Sequence, residues 1–199
     1  MKKFKLFFNT INEQKWINEQ LNNGYRLKKI SLLGTYHFEK TTEQQIVQID
    51  YQDYKSKQNY EHYHSLYNEF GWQLISGSRA SGVQYWQKQV DGNDELFSDQ
   101  QSKTAYYKRL MNYSAMLAGV FFIFTMSLQN SNAYSIFNLK SLYLTPGLWA
   151  LEGKEFWLRF LFETPFAFMR LAGPLAFLFV VVAYTYNYYS LNKYLKEDK

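Results

Sequence analysis

The sequence predicts an α+β domain followed by a two-helix transmembrane hairpin. Two apolar runs, at 111–128 and 166–189, approach or exceed the length of about 20 helical residues that crosses the core of a bilayer. The residues before 111 are polar and charged, and several short stretches alternate between apolar and polar residues as half-buried strands do. The pattern therefore divides the chain into a domain outside the bilayer and a hairpin within it.

The polar half reads as two units, each composed of a strand, a helix and a β-hairpin. Gly24 and Gly71 end the two predicted helices, and Phe38 and Trp86 fall at matching places in the hairpins. We interpret the units as a repeat; the alternative is a chance recurrence. Two units predict about six antiparallel strands in one sheet, with both helices on one face, close to a ferredoxin-like layout. Strands are expected at 4–8, 25–31, 35–40, 46–51, 72–78 and 83–88, helices at 11–21 and 57–70, and hairpin turns at 32–34 and 80–82.

Capping residues mark where two helices begin. Asn9 or Thr10 can cap the first helix, and Glu13 is placed for a capping box with Thr10. Ser98 or Asp99 can cap a further helix that begins near residue 100. This second capped helix would lead directly into the first apolar run.

The segment between the two apolar runs is rich in Tyr, Trp and Phe, which favour the interface between bilayer and water. We expect an aromatic interfacial loop at 129–165, in which Glu155–Phe162 form a short amphipathic helix with an Arg159–Glu163 pair. Pro165 is placed to start the second span, and Pro174 is placed to kink it.

These patterns divide the chain into four parts. They are a cytoplasmic α+β domain at 1–95, a juxtamembrane linker helix at 96–110, the transmembrane hairpin at 111–189, and a charged cytoplasmic tail at 190–199.

The chain is expected in the bacterial cell membrane, which it crosses twice with both termini in the cytoplasm. Its N-terminus lacks the long apolar core and small-residue cleavage site of a signal peptide, and this decides the orientation, because basic residues differ only weakly between the two sides. The net charge of +5 is dispersed, which suits an anionic lipid surface and excludes a nucleic-acid-binding stripe. The expected partners are the lipid bilayer and an unidentified protein, and homo-oligomers are left open.

The residues offer little for catalysis or metal binding. No cysteine is present, which excludes disulfides and thiolate chemistry. His37, Asp50 and Asp53 could form a zinc site, or the two aspartates could act in acid–base catalysis, but the sequence favours a structural role for these residues. The sequence contains no phosphate-binding loop. We therefore expect a non-enzyme with no catalytic, cofactor or metal site. Arg170, the one charged residue in the second apolar run, is a candidate functional residue; the alternative is that it reaches up to the interface.

A family resemblance rests on the order of several short motifs. These are Trp16-Ile17-Asn18, Asn23-Gly24-Tyr25-Arg26-Leu27, Tyr36-His37-Phe38-Glu39-Lys40, Gly71-Trp72, Tyr85-Trp86-Gln87-Lys88, Glu95-Leu96-Phe97-Ser98-Asp99, Ser102-Lys103 and Tyr107-Lys108-Arg109-Leu110. Over about residues 3–110, the chain resembles the DUF2812 family of bacterial membrane proteins. The resemblance implies a gene often found beside PadR-type regulators in Gram-positive bacteria, and hence a regulated or regulatory membrane protein. It carries over no catalytic residues, because the family has no established activity.

Two functions fit this organisation. The first is a non-enzymatic binding or signalling module, whose cytoplasmic domain binds a protein or small ligand at the membrane. The alternative is an accessory subunit of a membrane transporter or envelope-stress system that acts through the hairpin. In the first case the junction before the hairpin would pass the state of the domain to the membrane, rather than serve as a plain linker. The candidate coupling residues are Leu96, Phe97, Asp99, Lys103, Tyr107 and Arg109.

Overall fold

The computed structural model describes residues 1–31, 34–52, 56–80, 82–97, 99–130 and 138–197. The chain divides into two compact units. The first contains residues 1–111 and the residues from 191 onward, and the second contains residues 112–190. The predicted turn residues Leu32, Leu33 and Ser81 lie outside the described residues.

The first unit is an α+β domain, as predicted. Two helices and six strands precede a long helix that runs on into the second unit. The elements are β1 (Lys2–Phe4), α1 (Thr10–Asn22), β2 (Tyr25–Ser31), β3 (Thr35–Lys40), β4 (Gln45–Tyr51), α2 (Lys57–Glu69), β5 (Gln73–Gly77), β6 (Val83–Gln89) and α3 (Gln100–Asn130). Two single 3-10 turns, Leu139–Leu142 and Leu148–Ala150, come before the last helix, α4 (Gly153–Glu197).

The six strands form two antiparallel sheets rather than the single sheet that the sequence predicted. The first sheet has the order β1-β3-β2, and the second has the order β4-β6-β5. Strands β2 and β5 lie beside each other without forming a ladder. One reason is that the side chain of Gln87 on β6 accepts the Leu27 N–H of β2 at 3.0 Å. A side chain therefore takes a hydrogen bond that a neighbouring strand would need.

The two sheets are built alike, which confirms the predicted pair of strand-helix-hairpin units. Leu27 lies opposite Phe38 in the first hairpin, and Leu74 lies opposite Trp86 in the second. A register shift follows directly after each of these pairs. The helices of both units end at a glycine with φ near 80°, a left-handed conformation that favours glycine over other residues.

Helix α1 covers the free edge of β4 with side-chain amides. The Asn18 side chain donates to the Val47 carbonyl at 2.9 Å and accepts the Val47 N–H at 2.8 Å. The Gln14 side chain accepts the Ile49 N–H at 2.9 Å. Backbone groups that a fourth strand of this sheet would otherwise pair are thus satisfied within the domain.

The core has two parts, one on each side of the second sheet. The larger part lies between α1 and the two sheets, and its buried members are Ile17, Leu21, Leu27, Tyr36, Phe38, Val47 and Ile49. The smaller part lies beneath α2 and consists of Tyr63, Trp72 and Trp86. The prediction that both helices share one sheet face is therefore wrong, because the second sheet carries apolar residues on both faces.

The face of the first sheet turned away from α1 carries paired charges. Arg26 and Lys28 of β2 both form ion pairs with Glu39 of β3. Ser31 and His37 are hydrogen-bonded at 2.9 Å between the same two strands. This face therefore resembles an ordinary solvated sheet surface.

The start of α1 follows one of the two predicted capping arrangements. Asn9 is the cap, and its side chain accepts the N–H groups of Ile11 and Asn12. Glu13 does not form a capping box. It is buried, and it accepts hydrogen bonds from the hydroxyls of Tyr36 at 2.6 Å and Tyr85 at 2.7 Å. Tertiary partners in β3 and β6 have therefore taken the carboxylate away from the helix terminus.

Burial makes Glu13 a pH-sensitive contributor to stability. Burial raises the pKa of Glu13 above its ordinary value, against the two tyrosine hydroxyls, which lower it. The folded carboxyl thus holds its proton to a higher pH than the unfolded one. Its contribution to stability is full below the ordinary glutamate pKa, and it is lost as the pH rises through the folded pKa.

We expect Glu13→Gln to weaken this pH dependence. As the pH rises from about 4 towards neutral, the free energy of unfolding should fall more for the wild type than for the variant, because only the wild type must ionise a buried carboxyl. Urea unfolding of the detergent-solubilised chain at several pH values measures this. Glu19→Gln, at an exposed site of the same helix, is the matched control. Parallel curves for wild type and Glu13→Gln would contradict the expectation.

The second unit is a pair of antiparallel helices. Tyr113 packs against Tyr184, and Phe121 and Phe124 pack against Phe177. Both helices are long and apolar enough to cross a membrane. Their most apolar windows are only 22% and 11% buried within the protein, unlike core helices of soluble proteins, which are mostly buried. The predicted hairpin is confirmed in this sense.

A polar pair joins the two helices inside this apolar region. The Asn187 side chain donates to the Ser114 hydroxyl at 3.0 Å, and both residues are buried. Hydrogen bonds of this kind between helices contribute about 1 kcal/mol in membrane proteins and favour one helix register over others.

Helix α4 begins at Gly153, twelve residues before the predicted start at Pro165. Pro165 and Pro174 both lie inside the helix. The early start is stabilised by the 138–151 segment, which packs along the helix: Tyr143 stacks on Phe160 with ring centroids 5.0 Å apart. The predicted interfacial loop at 129–165 is thus partly helical, and residues 131–137 lie outside the described part of the chain.

Glu163 and Arg170 fasten the 138–151 segment to α4. Glu163 accepts the N–H groups of Leu144 at 2.8 Å and Thr145 at 3.0 Å. Arg170 donates to Glu163 at 3.1 Å and to the Leu142 carbonyl at 2.7 Å. The predicted pairing of Glu163 with Arg159 is therefore wrong, and Arg170 is bound to protein acceptors.

Candidate coupling site at the start of helix α3

The segment that leaves β6 returns to the domain before α3 begins. Leu96 packs against the aromatic cluster of Tyr63, Trp72 and Trp86. Phe97 contacts Tyr106 of α3, with ring centroids 5.0 Å apart. The two apolar residues of the segment therefore contact the sheet-and-helix core on one side and α3 on the other.

The first turn of α3 is capped and paired with the same segment. The Asp99 carboxylate accepts the Ser102 N–H at 2.8 Å and the Ser102 hydroxyl at 2.7 Å. Lys103 forms an ion pair with Glu95 at 2.9 Å. Ser98, the other predicted cap, lies outside the described residues.

Asp50 and Arg109 form the most buried ion pair of the described chain. Asp50 on β4 is fully buried, and the Arg109 guanidinium lies 3.3 Å from its carboxylate. Arg109 also donates to the Tyr51 carbonyl at 2.7 Å. Further donors to the Asp50 carboxylate are the Tyr51 N–H at 2.7 Å, the Tyr63 hydroxyl at 2.8 Å and the Gln52 amide at 3.3 Å.

Opposing effects set the pKa of Asp50. Burial raises the pKa of the Asp50 carboxyl, and the net shift is upward. The positive charge of Arg109 and the hydroxyl of Tyr63 lower it, because both favour the ionised form. Arg109 is therefore the group that makes a charged Asp50 tolerable inside the domain.

A chain of hydrogen bonds connects four secondary-structure elements through Asp50. The Trp86 indole N–H on β6 donates to the Tyr63 hydroxyl on α2 at 2.9 Å. Tyr63 donates to Asp50 on β4, and Asp50 binds Arg109 on α3. A displacement of α3 would therefore disturb the hydrogen bonds of Asp50 and Trp86 in the second sheet.

The last turns of α4 also pack within the first unit. Leu191 is fully buried, and the ring of Tyr194 stacks on Tyr107 with centroids 6.5 Å apart. The Lys15 ammonium lies 5.5 Å from the Tyr194 ring. The segment predicted as a charged cytoplasmic tail at 190–199 is helical through Glu197, and residues 198 and 199 lie outside the described residues.

Two cavities are lined in part by the segment that precedes α3. A cavity of about 240 Å³ lies beside the end of α2, and Leu66, Tyr67, Phe70, Trp72, Lys88, Asn93, Glu95 and Leu96 line it. A cavity of about 200 Å³ lies beside α3, and Ile11, Gln14, Gln48, Ile49, Glu95, Leu96, Phe97, Lys103, Tyr106 and Tyr107 line it. Glu95 and Leu96 belong to both linings, so a group bound in either cavity would press on the residues that lead into α3.

Lys88 lines the first cavity, but its ammonium group is bound to protein acceptors. Its side chain is 4% exposed and binds the Asp91 carboxylate at 2.8 Å and the Asn93 carbonyl at 2.6 Å. The ammonium also lies 5.0 Å from the Trp72 ring. Because its donors are occupied, the cavity suits an apolar group better than an anion, and the half-exposed side chains of Leu66 and Phe70 stand among its lining residues.

The structure corrects the role of residues 96–110 as a linker. Tyr106 and Leu110 are buried, and Arg109 is bound to Asp50, so these residues pack on the domain. The first compact unit accordingly extends to Met111 rather than ending at residue 95. All six predicted coupling residues lie in this region, and their part in coupling stays a prediction.

Sequence reasoning missed the pairing of Asp50 with Arg109. One signal was present: Asp50 alternates with Ile46 and Gln48 on one side of β4, which places a carboxylate where the strand faces the core. In the part of the chain that the structure describes, no three His, Asp or Glu side chains are grouped to hold a metal. Asp53, the second aspartate of the zinc and acid–base alternatives, lies outside that part.

The family model of DUF2812, proteins of unknown function, matches residues 9–119. The chain belongs to the DUF2812 family. In this DUF2812 protein the match begins at Asn9, the cap of α1, and ends within α3, so it includes Asp50, Leu96 and Arg109. No curated protein and no solved structure is significantly similar to the chain.

The extent of the domain gives a direct prediction for fragments of the DUF2812 protein. Residues 1–111 should fold in water with greater stability than residues 1–95, because only the longer fragment contains Arg109 and the buried Tyr106 and Leu110. Circular dichroism and urea unfolding of both fragments measure the difference. Equal unfolding midpoints would contradict a role for the start of α3 in the domain.

Proposed function

We propose that this DUF2812 protein is a membrane-anchored, non-enzymatic binding module of the bacterial cell membrane. Its cytoplasmic domain binds a protein or a small ligand, and α3 carries the bound state towards the hairpin. The observation that carries the proposal is the Asp50–Arg109 pair, which makes the start of α3 a structural part of the domain. A plain tether would have no need to place its arginine on a fully buried carboxylate.

The cavities support binding at the segment before α3. Both are lined by Leu96, which lies three residues before the cap at Asp99. The first cavity has the size of a bulky side chain or a small ligand, and aromatic and aliphatic side chains line part of it beside Lys88, Asn93 and Glu95. An apolar group that enters it displaces water from those walls, which is favourable by about 25 cal/mol per Å² of apolar surface buried.

The polar groups of the site support a non-enzymatic role. Asp50 and Lys88, the buried charged groups near the cavities, are each bound to several protein partners. General acid–base or nucleophilic catalysis needs a group that can reach the substrate. These two residues hold the domain together instead.

The exposed surface of the second unit supports the membrane location. Six large apolar side chains of the two helices are exposed. They are Met116, Phe122, Ile123 and Phe124 of α3 and Phe179 and Val182 of α4. Apolar surface on this scale is normal only where lipid or another protein covers it. The basic residues next to the spans favour the cytoplasmic orientation only weakly. The family resemblance, with its genes often found beside PadR-type regulators, favours a regulatory setting.

Affinity capture from native membranes distinguishes the proposed function from the alternative, an accessory subunit that acts through the hairpin. The full chain is compared with two variants of similar chemistry: Leu66→Ser/Phe70→Ser in the lining of the first cavity, and Phe122→Ser/Ile123→Ser on the hairpin. All four positions are exposed, so the variants should fold.

We expect the cavity variant to lose a partner or ligand that the hairpin variant keeps. The opposite pattern would overturn the proposal and favour the accessory subunit. Identical capture by all three proteins would contradict both sites. Native mass spectrometry of the captured complex distinguishes a bound small molecule from a bound protein.

A further inference from the structure

Among the residues that the structure describes, helix α4 reaches far beyond Asn130, the last residue of α3. Phe124 lies beside Phe177, and the six remaining residues of α3 bring its end opposite about residue 171. The eighteen residues 153–170 therefore continue without α3, over about 27 Å at 1.5 Å per residue. We call residues 153–170 the α4 extension.

The paired part of the helices already fills a bilayer. Residues 110–130 and 171–192 are free of charged side chains, and each run spans about 32 Å as a helix, which matches a hydrocarbon core of about 30 Å. The extension carries Lys154, Glu155, Arg159 and the Glu163–Arg170 pair. It therefore lies outside the hydrocarbon core.

One face of the extension is covered by the chain itself. Tyr143 and Trp149 pack against Phe160, and Leu148 beneath them is fully buried. Glu163 and Arg170 hold the same segment by hydrogen bonds. The protein thus satisfies the aromatic and polar side chains on this face.

Beyond Lys154, which lies on this face in the first turn, the opposite face is apolar, and no residue that the structure describes covers it. It forms an arc of about 140° at 100° per residue. Its side chains are between 58% and 73% exposed, and they are Trp157, Leu158, Leu161, Phe162, Phe168 and Met169. A continuous apolar surface along four turns is unstable in water, so something covers it.

The composition of the arc selects lipid as its cover. Helices that pack on other helices in membranes use small residues, which allow close approach. This arc has Leu, Phe, Met and Trp instead, and Glu155 and Arg159 stand beside it. Such a pattern is typical of helices that lie in the plane of the interface, with their apolar face about 5–10 Å into the head-group boundary.

The chain also provides the place for a bend. Gly173 and Pro174 lie next to the point where α3 ends. Pro174 has no N–H to bond the Arg170 carbonyl, and its ring crowds that carbonyl, so helices bend at such positions. A bend there would turn the extension from the direction of the span towards the membrane plane.

We propose that the α4 extension lies along the bilayer surface with the Trp157–Met169 arc facing the acyl chains. The 138–151 segment then covers the side turned away from the lipid. The proposal rests on the hairpin spanning the membrane, as in the proposed function. It assigns a lipid-binding surface to the side of the bilayer where the helices are joined.

The absence of cysteine allows a clean test by single spin labels. Cysteines are placed at Leu158, Leu161 and Phe162 on the arc, and at Glu155 and Arg159 beside it. The full chain is reconstituted in vesicles of phosphatidylcholine and phosphatidylglycerol. Collisions of each label with oxygen, which concentrates in lipid, and with a water-soluble nickel chelate are compared.

We expect the arc labels to favour oxygen, at depths of about 5–10 Å, and the two labels beside the arc to favour nickel. Nickel access at all five positions would overturn the proposal, because the extension would then stand in water. Low access to both reagents on the arc would overturn it in favour of a second copy of the chain. Labels at Ile123 and Val182 test the hairpin separately: if they fail to report deep lipid, the membrane anchor itself is wrong.

Discussion

Trp86→Ala is expected to lower the free energy of unfolding of the domain by about 3–5 kcal/mol, the usual cost of removing a large buried aromatic side chain. Trp86 is fully buried and packs on Tyr63 and Tyr67, with ring centroids 5.6 and 4.9 Å away. Its indole N–H also binds the Tyr63 hydroxyl, which in turn binds Asp50. The substitution thus leaves a cavity and removes one end of the hydrogen-bond chain.

Phe38→Ala at the equivalent position of the first unit is expected to fall in the same range but to cost less. Phe38 is almost as buried as Trp86 and packs on Trp16 with ring centroids 6.0 Å apart, but its side chain has no polar atom that could join a hydrogen-bond chain. Urea unfolding followed by near-ultraviolet circular dichroism measures both variants in the detergent-solubilised chain. Phe4→Ala, at an exposed site of the same domain, is the control. Little loss of stability at either core position would contradict the equivalence of the two units.

Arg109→Leu is expected to cost about 3–5 kcal/mol at neutral pH, because it leaves the Asp50 carboxylate buried without a counter-charge. Lys108→Leu, one residue earlier at an exposed site, is the matched control and should be close to neutral. The double variant Asp50→Asn/Arg109→Leu should recover part of the loss, since the uncompensated charge is gone.

The pH dependence of Arg109→Leu has a definite sign. Burial raises the pKa of Asp50, and removal of Arg109 raises it further. A protonated Asp50 needs no counter-charge, so the difference between wild type and Arg109→Leu should shrink as the pH falls towards the ordinary aspartate pKa of about 4. A difference that is constant with pH would show that Arg109 acts by packing alone.

The features that the sequence predicted correctly depend on short-range patterns. The cap at Asp99 and the glycines that end α1 and α2 are set by a few neighbouring residues. The two units were visible because matching residues recur at nearly constant spacing. The spans follow from uncharged runs whose length can be compared with a bilayer.

The features that could not be predicted depend on contacts between distant residues. Asp50 and Arg109 are 59 positions apart, and nothing local to either indicates the other. The early start of α4 depends on the Glu163 carboxylate binding N–H groups 18 and 19 residues earlier. The split into two sheets depends on Gln87 reaching the backbone of β2 across 60 residues.

The side-chain amides of α1 that cover β4 limit how this protein can associate with others. An uncovered strand edge invites another chain to pair with it, in a specific complex or in an aggregate. Asn18 and Gln14 close that route at β4, and Gln87 takes the Leu27 N–H at β2. Strand β1 has three residues, two of them lysines, which is a poor template for pairing. A partner that binds the domain would therefore be expected to contact side chains on its surface rather than to add a strand at β1, β2 or β4.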